Sequence, residues 1–107
     1  MENISEIHWH DSEIESVIEI PSKDQLIYNI QYPENWNENL FLSKSIIFSG
    51  YCSHTVEEIP FDGNPTILAA SIVKEEAGYT TVKIETNTGN RFVTAKSCNL
   101  EVQSVSI

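Results

Sequence analysis

The feature that most constrains the fold is a two-residue alternation of apolar and polar side chains, which recurs along most of the chain. In residues 13–20, isoleucines occupy one parity and glutamates the other: Ile14, Ile18 and Ile20 against Glu13, Glu15 and Glu19. Successive side chains of a β-strand point to opposite faces. The pattern therefore predicts a strand with its isoleucines in the core and its carboxylates in water.

A second alternating run follows at once. It places Leu26, Tyr28, Ile30 and Tyr32 on one face. Residues 21–24, Pro-Ser-Lys-Asp, separate the two runs and consist of turn-forming residue types. We therefore predict a hairpin from residues 13–20 and 26–32.

The middle of the chain predicts a loop from Pro33 to Asn39, which carries Trp36, and then a third strand over Leu40–Phe48. This strand could continue toward Val56, with Gly50 marking a bulge or bend.

The stretch 66–74 is open to two interpretations. Asn64 and Pro65 before it and Gly78 after it are typical helix boundary residues. Its β-branched residues and the lack of a clean helical stripe favour a strand. We predict a strand and keep one short helix near 65–76 as the alternative.

The end of the chain predicts a hairpin from Tyr79–Thr86 and Arg91–Ala95 around the turn Asn87-Thr88-Gly89-Asn90, followed by a strand over 98–102. The expected fold is therefore all-β, with six to eight mostly antiparallel strands in a sandwich or strongly bent sheet. Residues 1–107 are expected to form a single β domain.

The charge balance excludes several partners. The chain has 6 Lys and Arg against 16 Asp and Glu, a net charge of −10. Such a surface repels phosphate backbones and anionic membranes, so we expect neither nucleic acid nor membrane as a partner. A basic protein or a metal ion would be attracted.

The N-terminus has no basic region followed by an apolar run, so it predicts no secretory signal, and no apolar stretch is long enough to span a bilayer. We therefore expect a cytoplasmic protein. In that reducing compartment Cys52 and Cys98, which form no CxxC pair, are expected to be buried thiols rather than a disulfide.

The densest group of reactive side chains is His8-Trp9-His10-Asp11. Histidines at i and i+2 share one face of an extended chain, so His8, His10 and Asp11 are candidate ligands for a divalent ion. The competing interpretation is structural: Asp11 bonds the local backbone and Trp9 plugs the core under a sheet edge.

No catalytic constellation is recognisable. Cys52 precedes His54 by two residues, but Cys–His catalysis requires an activated thiolate that the sequence does not specify. The chain contains no P-loop, no GxGxxG and no G-x-S-x-G. We expect no enzymatic activity and no cofactor.

A binding role has more support. Glu13, Glu15 and Glu19 are predicted on one strand face, next to Trp9 or Trp36 as aromatic anchors. With His10 and Asp11 they are the candidate contacts for a basic protein, because charge speeds association and aromatic side chains anchor interfaces.

The opening Trp9-His10-Asp11-Ser12-Glu13-Ile14, followed by alternating strands, resembles a group of small bacterial β-rich proteins that begin with a W/F-H-D-S/A motif. Some members of that group resemble immunity proteins of polymorphic toxins. The resemblance is limited to His10-Asp11-Ser12 and the first hairpin. It implies a compact cytoplasmic β domain with an immunity or partner-binding role, and it gives no catalytic role to carry over. Together with the net charge of −10, it leads us to expect an acidic protein-binding domain, specifically an immunity-type inhibitor of a basic toxin. The alternative is a metal- or small-ligand-binding β domain that uses His8, His10 and Asp11.

Overall fold

The strands follow the alternating runs of the sequence closely. A computed structural model describes residues 2–35 and 40–102. Within these residues the chain forms two short 3-10 helices, Glu2–Glu6 and Pro21–Lys23, and eight strands. The strands are β1 (Glu13–Ile20), β2 (Gln25–Asn35), β3 (Leu40–Ser49), β4 (Ser53–Glu58), β5 (Ile67–Glu76), β6 (Tyr79–Thr86), β7 (Gly89–Ala95) and β8 (Ser97–Val102).

The strands form two antiparallel sheets that pack as a sandwich. The first sheet has the order β1-β2-β3-β8, and the second has the order β4-β7-β6-β5. The predicted all-β fold is confirmed, and residues 67–76 form a strand rather than the alternative helix. No helix in the described part of the chain is long and apolar enough to cross a membrane.

Alternation places the core between the sheets. On β6 every second residue is buried, from Thr80 to Thr86, so that Val82 and Ile84 face inward. On β2 the inward-facing residues Leu26, Tyr28 and Ile30 are almost fully buried. Both strands pack their apolar parity into one cluster, as period-2 patterning requires.

The chain changes sheets at Gly50, which has a φ of +64°. The expected continuation of the third strand toward Val56 is therefore wrong: β3 belongs to the first sheet and β4 to the second. The expected loop after residue 32 is also shorter than predicted, since β2 extends through Asn35. Trp36 lies outside the described residues.

A β-bulge corrects the predicted faces of β1. The pairing of β1 with β2 shifts between Ile14 and Ser16, so the two parities exchange at Glu15. Ile14 faces the core as predicted, but beyond the bulge Val17 takes the inward position and packs against the core cluster. Ile18 is consequently turned to the outer face of the first sheet. The three glutamates of β1 do not share one face.

The segment before β1 closes a corner of the sandwich. Trp9 is 6% exposed, and its Nε1 donates a hydrogen bond of 2.9 Å to Ile4 O. The amide of Asp11 donates to Ile67 O at 2.8 Å, and the amide of Ile14 donates to Pro65 O at 2.8 Å. Trp9 is therefore a core plug, and the prediction that it anchors a partner at the surface is wrong.

Gly89 sets how closely β4 approaches the β6–β7 turn. Its φ is +149°, and a Cβ built there would overlap the carbonyl oxygen of Glu57. Only glycine, which has no Cβ, permits this approach. The close packing therefore fixes the end of β4 against β7.

We predict that Gly89→Ala lowers the free energy of unfolding by about 3 kcal/mol or more, because β4 must move to relieve the overlap. Gly78→Ala is the matched control, since Gly78 has a φ of +82° and nothing within 4 Å of its added Cβ. Backbone strain alone should cost that variant about 1 kcal/mol. Urea denaturation measures both, and equal losses would show that the contact with Glu57 is unimportant.

Candidate functional site

Two segments border one side of the sandwich, and we call them together the acidic edge. The first is residues 13–24, which contain β1 and the turn to β2; the second is residues 53–63, which contain β4 and the chain after it. At one end, Glu13 forms a bridge with Thr66, just beyond the second segment. At the other end, both segments line one cleft. Each segment carries an outermost strand of its sheet.

The acidic edge holds most of the net charge of the chain. It contains seven of the 16 carboxylates and one of the six basic residues, a formal charge of −6 out of −10. The carboxylates are Glu13, Glu15, Glu19, Asp24, Glu57, Glu58 and Asp62, and the basic residue is Lys23. Because the remaining residues are much closer to neutrality, the negative potential of this protein is concentrated on one side.

The cleft at the end of the acidic edge is open and has a volume of about 320 Å³. It is lined by Glu19, Pro21, Asp24, Tyr51, Cys52 and His54. The Glu19 carboxylate accepts a hydrogen bond from the Tyr51 hydroxyl, and this contact raises the pKa of Tyr51 to about 12. The cleft therefore has a fixed carboxylate on one wall and an imidazole on the other.

An ion pair lies beneath the acidic edge. Arg91 of β7 donates from Nε to Glu58 Oε2 and from Nη2 to Glu58 Oε1, each at 2.8 Å. The two side chains are only 12% and 11% exposed. Thr86 adds a hydrogen bond to Glu58 Oε2 at 3.1 Å. The hydrogen bonds from Arg91 hold the pKa of Glu58 below its usual value, so the pair stays ionised.

Tyr28 extends this network to the first sheet. Its hydroxyl lies 2.5 Å from His54 Nε2, and its ring lies beneath the guanidinium of Arg91, 5.7 Å from ring centroid to Cζ. Burial raises the pKa of Tyr28 to about 12. Burial, together with the charge of Arg91, lowers the pKa of His54. A neutral phenol and a neutral imidazole therefore share a hydrogen bond that links the two sheets.

The histidine cluster is not assembled as a metal site. His10 is exposed, with Nδ1 3.0 Å from Leu68 O and Nε2 3.6 Å from Asp11 Oδ1. The His8 ring packs edge-on against Tyr32, with 6.4 Å between ring centroids. Among residues 2–35 and 40–102, no group of three or more His, Cys, Asp or Glu side chains is placed to hold a metal ion.

The predicted glutamates separate around the bulge. Glu13 accepts a hydrogen bond of 2.9 Å from Asn64, and Glu15 accepts one of 2.9 Å from Gln31. Glu19 instead lines the cleft. They border the same side of the sandwich but approach it from different faces.

The two cysteines differ in exposure. Cys98 is buried, as predicted, and its burial raises the pKa of its thiol to about 12. Cys52 is exposed and lines the cleft, so the prediction of burial is wrong for this residue. No disulfide joins them.

Sequence reasoning missed Arg91 and Glu58, although a signal was present. Arg91 shares a parity with Val93 and Ala95, and both of these residues are fully buried. A charged residue on a core-facing parity requires an ionised partner. The alternation indicates that such a partner exists, but it does not identify Glu58, which is 33 residues away.

The chain matches no protein-family model, and no curated protein shows significant similarity to it.

We predict that His54 makes stability depend on pH between about 7 and 5. An unfolded histidine titrates near 6.5, and the pKa of folded His54 is lower. The unfolded state then binds more protons in this window, so the free energy of unfolding falls as pH falls through about 6.5. Urea denaturation at each pH should show this loss, and His54→Gln should reduce it.

The wild-type protein, measured at the same pH values, is the reference for this change. A His54→Gln variant with an unchanged slope between these pH values would contradict the assignment.

Proposed function

We propose that this chain is a non-enzymatic binding domain whose ligand is a basic protein, and that the ligand contacts the acidic edge. The observation that carries this proposal is the formal charge of −6 on residues 13–24 and 53–63, which border one side of the sandwich. It is still −5 when Arg91, which neutralises Glu58, is counted with them. A charge spread evenly over the surface would support solubility alone. Its concentration on one side supports recognition of an oppositely charged partner.

Exposed apolar side chains add contact area within the same side. Val56, Ile59 and Phe61 are 47%, 67% and 51% exposed, and each is adjacent in sequence to a carboxylate of the second segment. Apolar contacts surrounded by charges are typical of protein interfaces, in which burial supplies affinity and charge supplies steering.

The rigidity of the acidic edge also supports binding. Arg91 holds Glu58 from below with two hydrogen bonds, and Gly89 allows Glu57 to pack against the neighbouring turn. A surface that is already in its bound shape loses less conformational entropy when a partner docks.

The more specific form of the proposal is an immunity-type inhibitor of a basic toxin. Carboxylates on a fixed surface can occupy positions that an anionic substrate would take in a cationic active site. The resemblance of His10-Asp11-Ser12 to the motif of small bacterial proteins, some of them similar to immunity proteins, points in the same direction.

The test begins with capture of partners by the tagged protein from a lysate of its own host, with elution in a salt gradient. We expect a basic protein in stoichiometric amount, released as salt screens the charges. The triple variant Glu13→Gln, Glu15→Gln, Glu57→Gln should then bind the purified partner about ten-fold or more weakly, mainly through slower association.

A control of equal charge change lies on β5 and β8, at the opposite edges of the two sheets from β4 and β1: Glu75→Gln, Glu76→Gln, Glu101→Gln. Its affinity should stay within about two-fold of the wild type, since screened charges at a distance contribute little. Equal weakening by both triple variants, or capture of an acidic partner alone, would contradict the proposal.

A further inference from the structure

The outer backbone edge of β4 has hydrogen-bonding groups directed away from β7, its one neighbour among the described strands. Ile59 donates to Thr88 O at 3.0 Å, and hydrogen-bonded pairs alternate along an antiparallel ladder. Ser53, Thr55 and Glu57 therefore exchange backbone bonds with β7. The amides and carbonyls of His54, Val56 and Glu58 point outward, and within the described residues no other backbone group bonds them.

The two outermost strands of the second sheet differ in their protection against strand addition. The pairing of β5 with β6 is interrupted by register shifts at Ile67/Ala69 and Ile72/Lys74, and the side chain of Lys74 is exposed. Bulges and lysines are typical devices that block edge pairing. β4 pairs with β7 in continuous register and contains no proline or lysine. A further strand can therefore add more readily to β4 than to β5.

The negative charge of this edge favours a basic partner over a second copy of the chain. A second copy of the chain would bring another −10 to an edge that carries −5 with Arg91 counted, so self-association through β4 is disfavoured. Glu57 is exposed on the outer face of β4, while Val56 is exposed on the side that faces the first sheet. Opposite charges and apolar pairs are the favourable cross-strand neighbours.

We propose that the basic partner is held through one extended segment that adds to β4 as a further strand, with basic and apolar residues alternating along that segment. Its basic side chains lie opposite Glu57, and its apolar side chains lie beside Val56. Main-chain hydrogen bonds to His54, Val56 and Glu58 fix its register. This inference rests on the proposed function for the charge of the partner, but it specifies the mode of recognition.

The probe is a fluorescent ten-residue peptide of alternating lysine and valine. Two comparison peptides carry the same side chains but N-methyl groups on either all lysines or all valines, each blocking one backbone edge. We expect the parent peptide to bind the wild-type protein about ten-fold more tightly than at least one N-methylated form, since two or more hydrogen bonds are lost. Fluorescence anisotropy at fixed salt measures all three.

Val56→Pro is the matching protein variant. It removes an amide that points away from β7, at a position where an edge strand tolerates proline, so the ladder with β7 is retained. It should weaken the parent peptide about ten-fold, whereas Val56→Ala, which keeps the amide, should weaken it less. Circular dichroism verifies folding. If Val56→Pro does not fold, the binding of the N-methylated peptides to the wild-type protein tests strand addition on its own.

Equal affinities for all three peptides, or unchanged binding by a folded Val56→Pro, would overturn strand addition. If that binding still falls in the Glu13, Glu15 and Glu57 triple variant, recognition is by charge alone and the proposed function stands. Absence of any binding by the parent peptide also overturns strand addition. The proposed function is tested separately, by capture of a partner from the lysate.

Discussion

The ion pair between Arg91 and Glu58 is the interaction on which the acidic edge depends. Both side chains lie between strands and are nearly shielded from water, so each would be strongly destabilising without the other. Their two hydrogen bonds join β7 to β4, and the contact of Arg91 with the Tyr28 ring extends the link to the opposite sheet. The outermost strand of the second sheet is thereby held by buried charge as well as by its backbone ladder.

This arrangement separates the groups that stabilise the fold from the groups available to a ligand. Glu58 is neutralised internally by Arg91, whereas Glu57, one residue earlier, faces outward and is exposed. Glu19 and Asp24 at the cleft are likewise on the surface. Carboxylates crowded on one side repel one another and reduce stability. A basic ligand would relieve that repulsion, which gives binding a driving force beyond the direct contacts.

Sequence reasoning predicted the parts of the fold that depend on local alternation. The hairpin of β6 and β7 was predictable because every second residue of β6 faces one core. The face on which Glu19 lies was not predictable from the sequence, because the bulge after Ile14 is decided by packing across the sheet. The change of sheet at Gly50 and the ion pair of Arg91 with Glu58 depend on contacts between distant residues. Alternation therefore located the strands of the acidic edge but not its buried support.

The most direct test of the account is amide hydrogen exchange, measured by NMR on the free protein and with the lysine–valine peptide bound. In the free protein the amides of Thr55 and Glu57 should exchange slowly, since they bond to β7, while those of Val56 and Glu58 exchange fast. The peptide should slow Val56 and Glu58 and leave residues 69–76 unchanged. Protection confined to β5, or fast exchange at Val56 and Glu58 in the saturated complex, would contradict recognition through the edge of β4.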